Sequence, residues 1–221
     1  MSHSPKKRKK IINTTLIVLA LILVVSFFVS RSGEKVDPAS FADVETFALE
    51  PRVKGNLESD ITLIEFSDFQ CPACGQAYPI VKQLSEEYGD QFSLEYRHFP
   101  LRAIHPNAQI AAQAAEAAGV QGKFWEMHDM LFDNQSEWST SFNPTKNFKE
   151  YAETLEINVD RFEYDLKSDE VKQKVNADAD QAELLNLPGT PSFIVNGETK
   201  SFEEFVAMLD LPDVAETVVA E

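Results

Sequence analysis

Cys71 and Cys74 are the only cysteines in 221 residues, and they stand at a C-x-x-C spacing around Pro72 and Ala73. If a helix begins at Cys71, the two share one face and can close a small disulfide ring with little backbone movement. The pair therefore suits a reversible dithiol switch. Pro72 would be the first helical residue, where its missing N–H costs nothing, and the free N–H groups of that turn would point at the Cys71 sulfur. Such a setting lowers a thiol pKa from about 8.5 to roughly 3.5–7.5. A shift of three units is about 4 kcal/mol in favour of the reduced form, which makes the disulfide roughly 90 mV more oxidising.

Two plainer uses of the same residues stand beside this one. Half of a zinc site needs two further ligands, but there is no second cysteine pair, and His3, His98, His105 and His128 are scattered. No metal is expected. A purely structural disulfide across so short a loop would restrain little of the unfolded chain.

The elements around the pair must position it. Ile61-Thr-Leu-Ile-Glu-Phe66 is a β-rich run of strand length, and Ser67 to Gln70 carries the chain to the cysteines. The spacing then predicts a helix over 71–88, with Tyr78, Ile80, Val81 and Leu84 on its buried side, a kink at Pro79 and a stop at Gly89. Phe92 to His98 alternates as a second strand, so the order strand, helix, strand implies a parallel pair. Helices are expected over 107–118, 123–132 and 143–155, and a longer one capped by Asp160 and reaching Leu185. The aromatic stretch Phe124, Trp125, Met127, Met130, Leu131 and Phe132 has the spacing of a helix packed on the core, with His128 a structural histidine. Ser192 to Val195, Asn196-Gly197 and Glu198 to Lys200 read as a hairpin, and Ser201 with Glu204 as a capping box for a last helix.

The N-terminal thirty residues differ in character. Lys6, Lys7, Arg8, Lys9 and Lys10 precede an uncharged run from Ile11 to Ser30, long enough to span a bilayer. The basic cluster keeps the N-terminus cytoplasmic and sends the rest across the membrane. A cleaved signal peptide is the competing reading, although no A-x-A site is present. Residues 31–221 hold all 36 acids but only 15 of the 20 Lys and Arg, a net charge of −21. Such a surface repels nucleic acid and anionic lipid headgroups, so no nucleic-acid partner is expected and the apolar run alone would hold the membrane. An extracytoplasmic location also favours disulfide chemistry.

Three separated motifs carry a family resemblance: Glu65-Phe-Ser-Asp-Phe-Gln-Cys-Pro-Ala-Cys74, Gln121-Gly-Lys-Phe-Trp-Glu-Met-His128 and Gly189-Thr-Pro-Ser-Phe193. In this order they resemble the DsbA-like thiol-disulfide oxidoreductases, over roughly residues 56–209. The resemblance implies an α/β, thioredoxin-like fold with an inserted all-helical domain, here preceded by a transmembrane helix. The expected organisation is a basic tail (1–10), a signal anchor (11–30), a linker with a short edge element (31–59), a first thioredoxin-like part (60–104), a helical insertion (105–186), a second part (187–210) and a tail (211–221).

By the same resemblance Cys71 is the nucleophile that carries mixed disulfides, and Cys74 is its buried resolving partner. Pro72 and Ala73 form the active-site dipeptide. Thr190 and Pro191 match a cis-proline loop that binds substrate backbone, and Glu65 matches a buried acid that relays the proton of Cys74. The residues alone leave open a trans Pro191 and a solvent-facing Glu65. The expected function is introduction of disulfides into exported proteins with free thiols, with no cofactor beyond the Cys71–Cys74 disulfide. A quinone-linked membrane oxidase of the DsbB or vitamin K epoxide reductase kind would reoxidise the pair. The strong oxidants of the family have histidine where Ala73 stands, and threonine before the proline also occurs in reductases and isomerases. A reductase or isomerase is therefore the alternative, and a non-catalytic chaperone a more distant one.

Overall fold

Strand β2 (Thr62–Ser67) forms from the β-rich run ahead of the cysteines and takes the middle of a five-stranded sheet. The structure, a computed structural model, describes residues 52–211. Strands β1 (Val53–Gly55), β3 (Ser93–His98), β4 (Ser192–Val195) and β5 (Glu198–Lys200) complete the order β1-β3-β2-β4-β5. β2 and β3 are parallel, with Glu65 opposite Tyr96 and Ser67 opposite His98. Parallel neighbours need a long connection, and helix α1 (Pro72–Tyr88) supplies it. β4 runs antiparallel to β2 and sets Phe193 opposite Glu65. β5 returns through Asn196 and Gly197, whose φ values of 50° and 79° suit a type I′ turn.

Six helices lie between β3 and β4: α2 (Ala108–Gly119), α3 (Phe124–Asp133), α4 (Gln135–Trp138), α5 (Pro144–Thr154), α6 (Val159–Asp165) and α7 (Asp169–Leu184). Helix α8 (Phe202–Val206) closes the described chain, opened by the capping box of Ser201 and Glu204. Strand alternation sorts the core. Leu63, Leu94 and Val195 pack with Val81 and Leu84 of α1, whereas Phe66 and Ile194 pack with Ala179 and Ala182 of α7 on the opposite face. Beyond α1, its Cys74 and Tyr78 join Tyr96, Phe124, Met127, Leu131 and Phe132 in a third cluster. The aromatic stretch of α3 is thus core, with His128 buried in it.

Several sequence expectations need correction. Ile80 is 39% exposed, because the buried stripe of α1 runs through Cys74, Tyr78, Val81 and Leu84 and leaves Ile80 beside it. Pro79, the expected kink position, lies inside α1. Gly89 does stop the helix at Tyr88 as expected, by space and not by a left-handed backbone: its φ is −64°, and a Cβ there would meet the Ser85 carbonyl oxygen at 2.3 Å. The long helix from Asp160 is two helices. Asn158 caps α6 by accepting from the Arg161 N–H at 2.9 Å, and Ser168 caps α7 by accepting from the Val171 N–H at 3.2 Å. Asp160 instead lies in the first turn of α6, where a negative charge complements the helix dipole. Asn143 is the N-cap residue of α5 and Pro144 opens that helix, with no capping hydrogen bond at the Asn143 side chain. The short α4 was not anticipated; Trp138 anchors it, fully buried and donating from Nε1 to the Leu131 carbonyl at 2.8 Å.

The basic tail, the apolar run 11–30 expected to be an anchor, the start of the linker and most of the C-terminal tail lie outside the described residues. Among the described residues no helix is long and apolar enough to cross a membrane.

Candidate active site

The cysteines sit where β2 hands over to α1. Cys71 is the extended N-cap residue, Pro72 opens the helix, and the Cys71 N–H donates to the Asp68 carbonyl at 3.0 Å. Asp68 shapes this turn. Buried, it accepts from the Gln70 N–H at 2.7 Å through Oδ1, and through Oδ2 from the Leu101 N–H at 2.8 Å and His105 Nδ1 at 2.7 Å.

The helical block holds the turn from the other side. Gln135 Nε2 donates to the carbonyls of Phe69 at 2.7 Å and Cys71 at 2.9 Å. Gly75 makes room for it, since a Cβ there would lie 2.7 Å from Gln135 Oε1. Gln70 donates to the Ser139 carbonyl at 2.7 Å and accepts from the Asn107 N–H at 2.7 Å. Asp68, Gln70, Asn107 and Gln135 were not singled out in the sequence. Asp68 and Gln70 lie inside the motif that ends in the cysteines, whereas nothing local marks Gln135.

Both cysteines are reduced and buried, Cys71 at 6% exposure and Cys74 at 0%. The Cys71 thiol is brought down to about 5, first by the Cys74 thiol beside it and also by Thr190 and the backbone N–H groups of Cys74 and Ala73, against the opposing effect of burial. These are the first-turn donors expected to face the sulfur. Cys74 is held far above the usual thiol range, first by burial and then by its neighbour Cys71. One sulfur is thus made a thiolate and the other kept a thiol.

The Thr190–Pro191 peptide is cis, and the Cys71 thiol donates to the Thr190 carbonyl at 3.4 Å. That contact favours the thiol. The Thr190 hydroxyl, buried and without a hydrogen-bond partner, is the group in the loop suited to the thiolate. Glu65 does not face solvent. It is 3% exposed, and burial raises its carboxyl to about 7, with Ser67 and Lys54 opposing. Glu65 also lines a small cavity with Lys54, Tyr78, Lys82, Trp125 and His128. About 10 Å³ of it is open to the centre of a water molecule, room for about one water. The structure therefore brings Cys71, Cys74 and the Thr190–Pro191 loop together and buries Glu65 on the neighbouring strand.

A family profile described as thioredoxin matches residues 48–210. Among solved structures the chain is similar to a thioredoxin-like oxidoreductase from Silicibacter pomeroyi, at 25% identity and a TM-score of 0.63, covering 78% of this chain and 96% of that one. It shares its fold with BdbD from Bacillus subtilis, at 18% identity and a TM-score of 0.63, covering 80% and 93%. Among curated proteins it is similar to a Na(+)/H(+) antiporter NhaA 1 of Salinispora arenicola, 43% identical over 145 residues, which is 66% of this chain and 21% of the relative. The chain thus spans about a fifth of the length of that relative.

Proposed function

The chain belongs to the thioredoxin family, and on that premise we propose that it is a DsbA-like thiol-disulfide oxidoreductase that introduces disulfides into exported proteins. The observation that carries the reading is the division of labour between the sulfurs: Cys71 beside the Thr190–Pro191 loop with its thiol brought down to about 5, and Cys74 fully buried behind it with its thiol pushed far up. In the forward reaction a substrate thiolate attacks Cys71 of the oxidised pair. The Cys71–Cys74 bond breaks, a mixed disulfide forms at Cys71, and Cys74 leaves and takes up a proton. A second substrate thiolate then attacks the substrate sulfur of that mixed disulfide, and Cys71 departs as its stabilised thiolate. The substrate is oxidised by two electrons and the cysteine pair is reduced. Backbone groups of the Thr190–Pro191 loop would align an extended substrate segment by strand addition.

Reoxidation needs a partner, for which a quinone-linked membrane oxidase of the DsbB or vitamin K epoxide reductase kind has the right chemistry. The run 11–30 is the anchor that would keep the two close, with the catalytic domain on the extracytoplasmic side. The antiporter relative supports work at a membrane, since there a similar segment belongs to a membrane transporter's chain.

Ala73 gives a specific reason to keep a second direction of electron flow in view: it offers the Cys71 thiolate no side-chain donor. The equilibrium potential of the pair against glutathione decides. A value near −120 to −180 mV is expected for a disulfide donor, and one near −270 mV would assign the protein to the reductases. Oxidation of a reduced two-cysteine peptide, abolished by Cys71→Ser, tests the activity itself.

A further inference from the structure

Cys74 is a poor leaving group as an anion, because no water surrounds it to solvate the charge. A proton must reach it as the disulfide breaks. Glu65 is the nearby acid, but it sits on β2 and not on α1, so something has to bridge the two.

We propose that the hydroxyl of Ser67 is that bridge, passing a proton from the Glu65 carboxyl to the Cys74 sulfur, an inference that rests on the oxidoreductase reading above. Glu65 and Ser67 are two apart on one strand, so their side chains leave the same face of the sheet roughly 7 Å apart. Ser67 is 1% exposed, and its Oγ has no hydrogen-bond partner in the reduced protein. A buried hydroxyl left unpaired costs about 1–3 kcal/mol, so it calls for an explanation. Its reach supplies one. The Ser67 hydroxyl lies near enough to Glu65 and to Cys74 to favour the charged form of each. Tyr96, another buried hydroxyl here without a partner, feels the charges of Glu65 and Cys74 through space, and its side-chain hydrogen-bonding influence comes from Ser67 itself.

As a substrate thiolate attacks Cys71 and the Cys71–Cys74 bond breaks, Ser67 gives its proton to the departing Cys74 sulfur and takes one from Glu65. Glu65 is left as the carboxylate and is reprotonated from the cavity beside it. Lys54 of β1 and Tyr96 of β3 interact with Glu65, and Tyr78 and Lys82 of α1 and His128 of α3 line the cavity it faces. Of these, Lys54 lies close enough to favour the carboxylate form.

The test follows reduction of the oxidised full chain by a reduced two-cysteine peptide, from pH 5 to 9, with the rate expressed per peptide thiolate. The wild type is expected to lose rate above about pH 7, where Glu65 gives up its proton. Ser67→Ala is expected to run roughly 10²-fold slower below that pH and to lose the break, while the Cys71 thiolate still titrates as in the wild type. Ser67→Thr restores both rate and break, and Glu65→Gln added to Ser67→Ala costs nothing further. Ser67→Ala with wild-type rate and break overturns the relay, and so does a slowing that is uniform with pH and keeps the break. Wild-type exchange abolished by Cys71→Ser leaves the oxidoreductase reading standing in either case, whereas a wild type that never exchanges removes both.

Discussion

Glu65 and Asp178 are carboxyl groups buried against the same sheet, 3% and 2% exposed, and the protein treats them in opposite ways. Asp178 is surrounded by donors. It takes both arms of the Arg52 guanidinium, the His98 N–H at 3.0 Å and Arg97 Nη1 at 3.4 Å. Beside it Glu116 meets Arg52 at 3.2 Å, His98 Nε2 at 2.8 Å and Lys174 at 2.9 Å. Burial opposes both charges, but Arg52 and its neighbours hold the two carboxyls below their usual range. Around Glu65 the balance is reversed, and burial raises the carboxyl to about 7. Buried charge that is neutralised is architecture, tying the approach to β1 through Arg52 to α2 and α7. A buried acid that is left poised near neutral pH can exchange a proton.

If that contrast is right, removing an acid should have opposite consequences in the two places. Asp178→Ala takes away the carboxylate that meets both arms of Arg52, leaving it the contact to Glu116, and is expected to cost about 3–5 kcal/mol in denaturant unfolding while leaving the potential of the cysteine pair unchanged. A shifted potential would join the two clusters into one device. Glu65→Gln should stabilise. The carboxyl titrates near 4.5 when unfolded and about 7 when folded, so the folded state holds its proton longer and wild-type stability falls as pH rises through that window. At pH 8 the variant is expected to gain roughly 3 kcal/mol over the wild type, and at pH 4 nothing. Unfolding curves that run parallel at both pH values would place Glu65 with the structural acids.

How far each region could be read in the sequence follows from how far apart its residues lie. The chemistry of Cys71 and Cys74 shows in their spacing, whereas Glu65, Thr190 and Pro191 were readable only through the motifs that carry the family resemblance. The ion network was not readable, because Arg52, Glu116 and Asp178 are separated by more than sixty positions at each step and become neighbours only in the fold. His98 and His105 were given no role, yet both are held by buried acids, Glu116 and Asp68. The break between α6 and α7 did leave a local trace, for Ser168 followed by Asp169 and Glu170 is a helix start inside the span read as continuous. Ser67 and Gln135 are ordinary polar residues by sequence. Only the burial of one and the two carbonyls met by the other mark them.

Disulfide exchange at this site depends on Cys71 as a stabilised thiolate, and titration of the reduced protein by its ultraviolet thiolate absorbance tests that most directly. A single transition centred at about pH 5, absent in Cys71→Ser, is the expected result. A midpoint near 8.5, that of an unperturbed thiol, would contradict it.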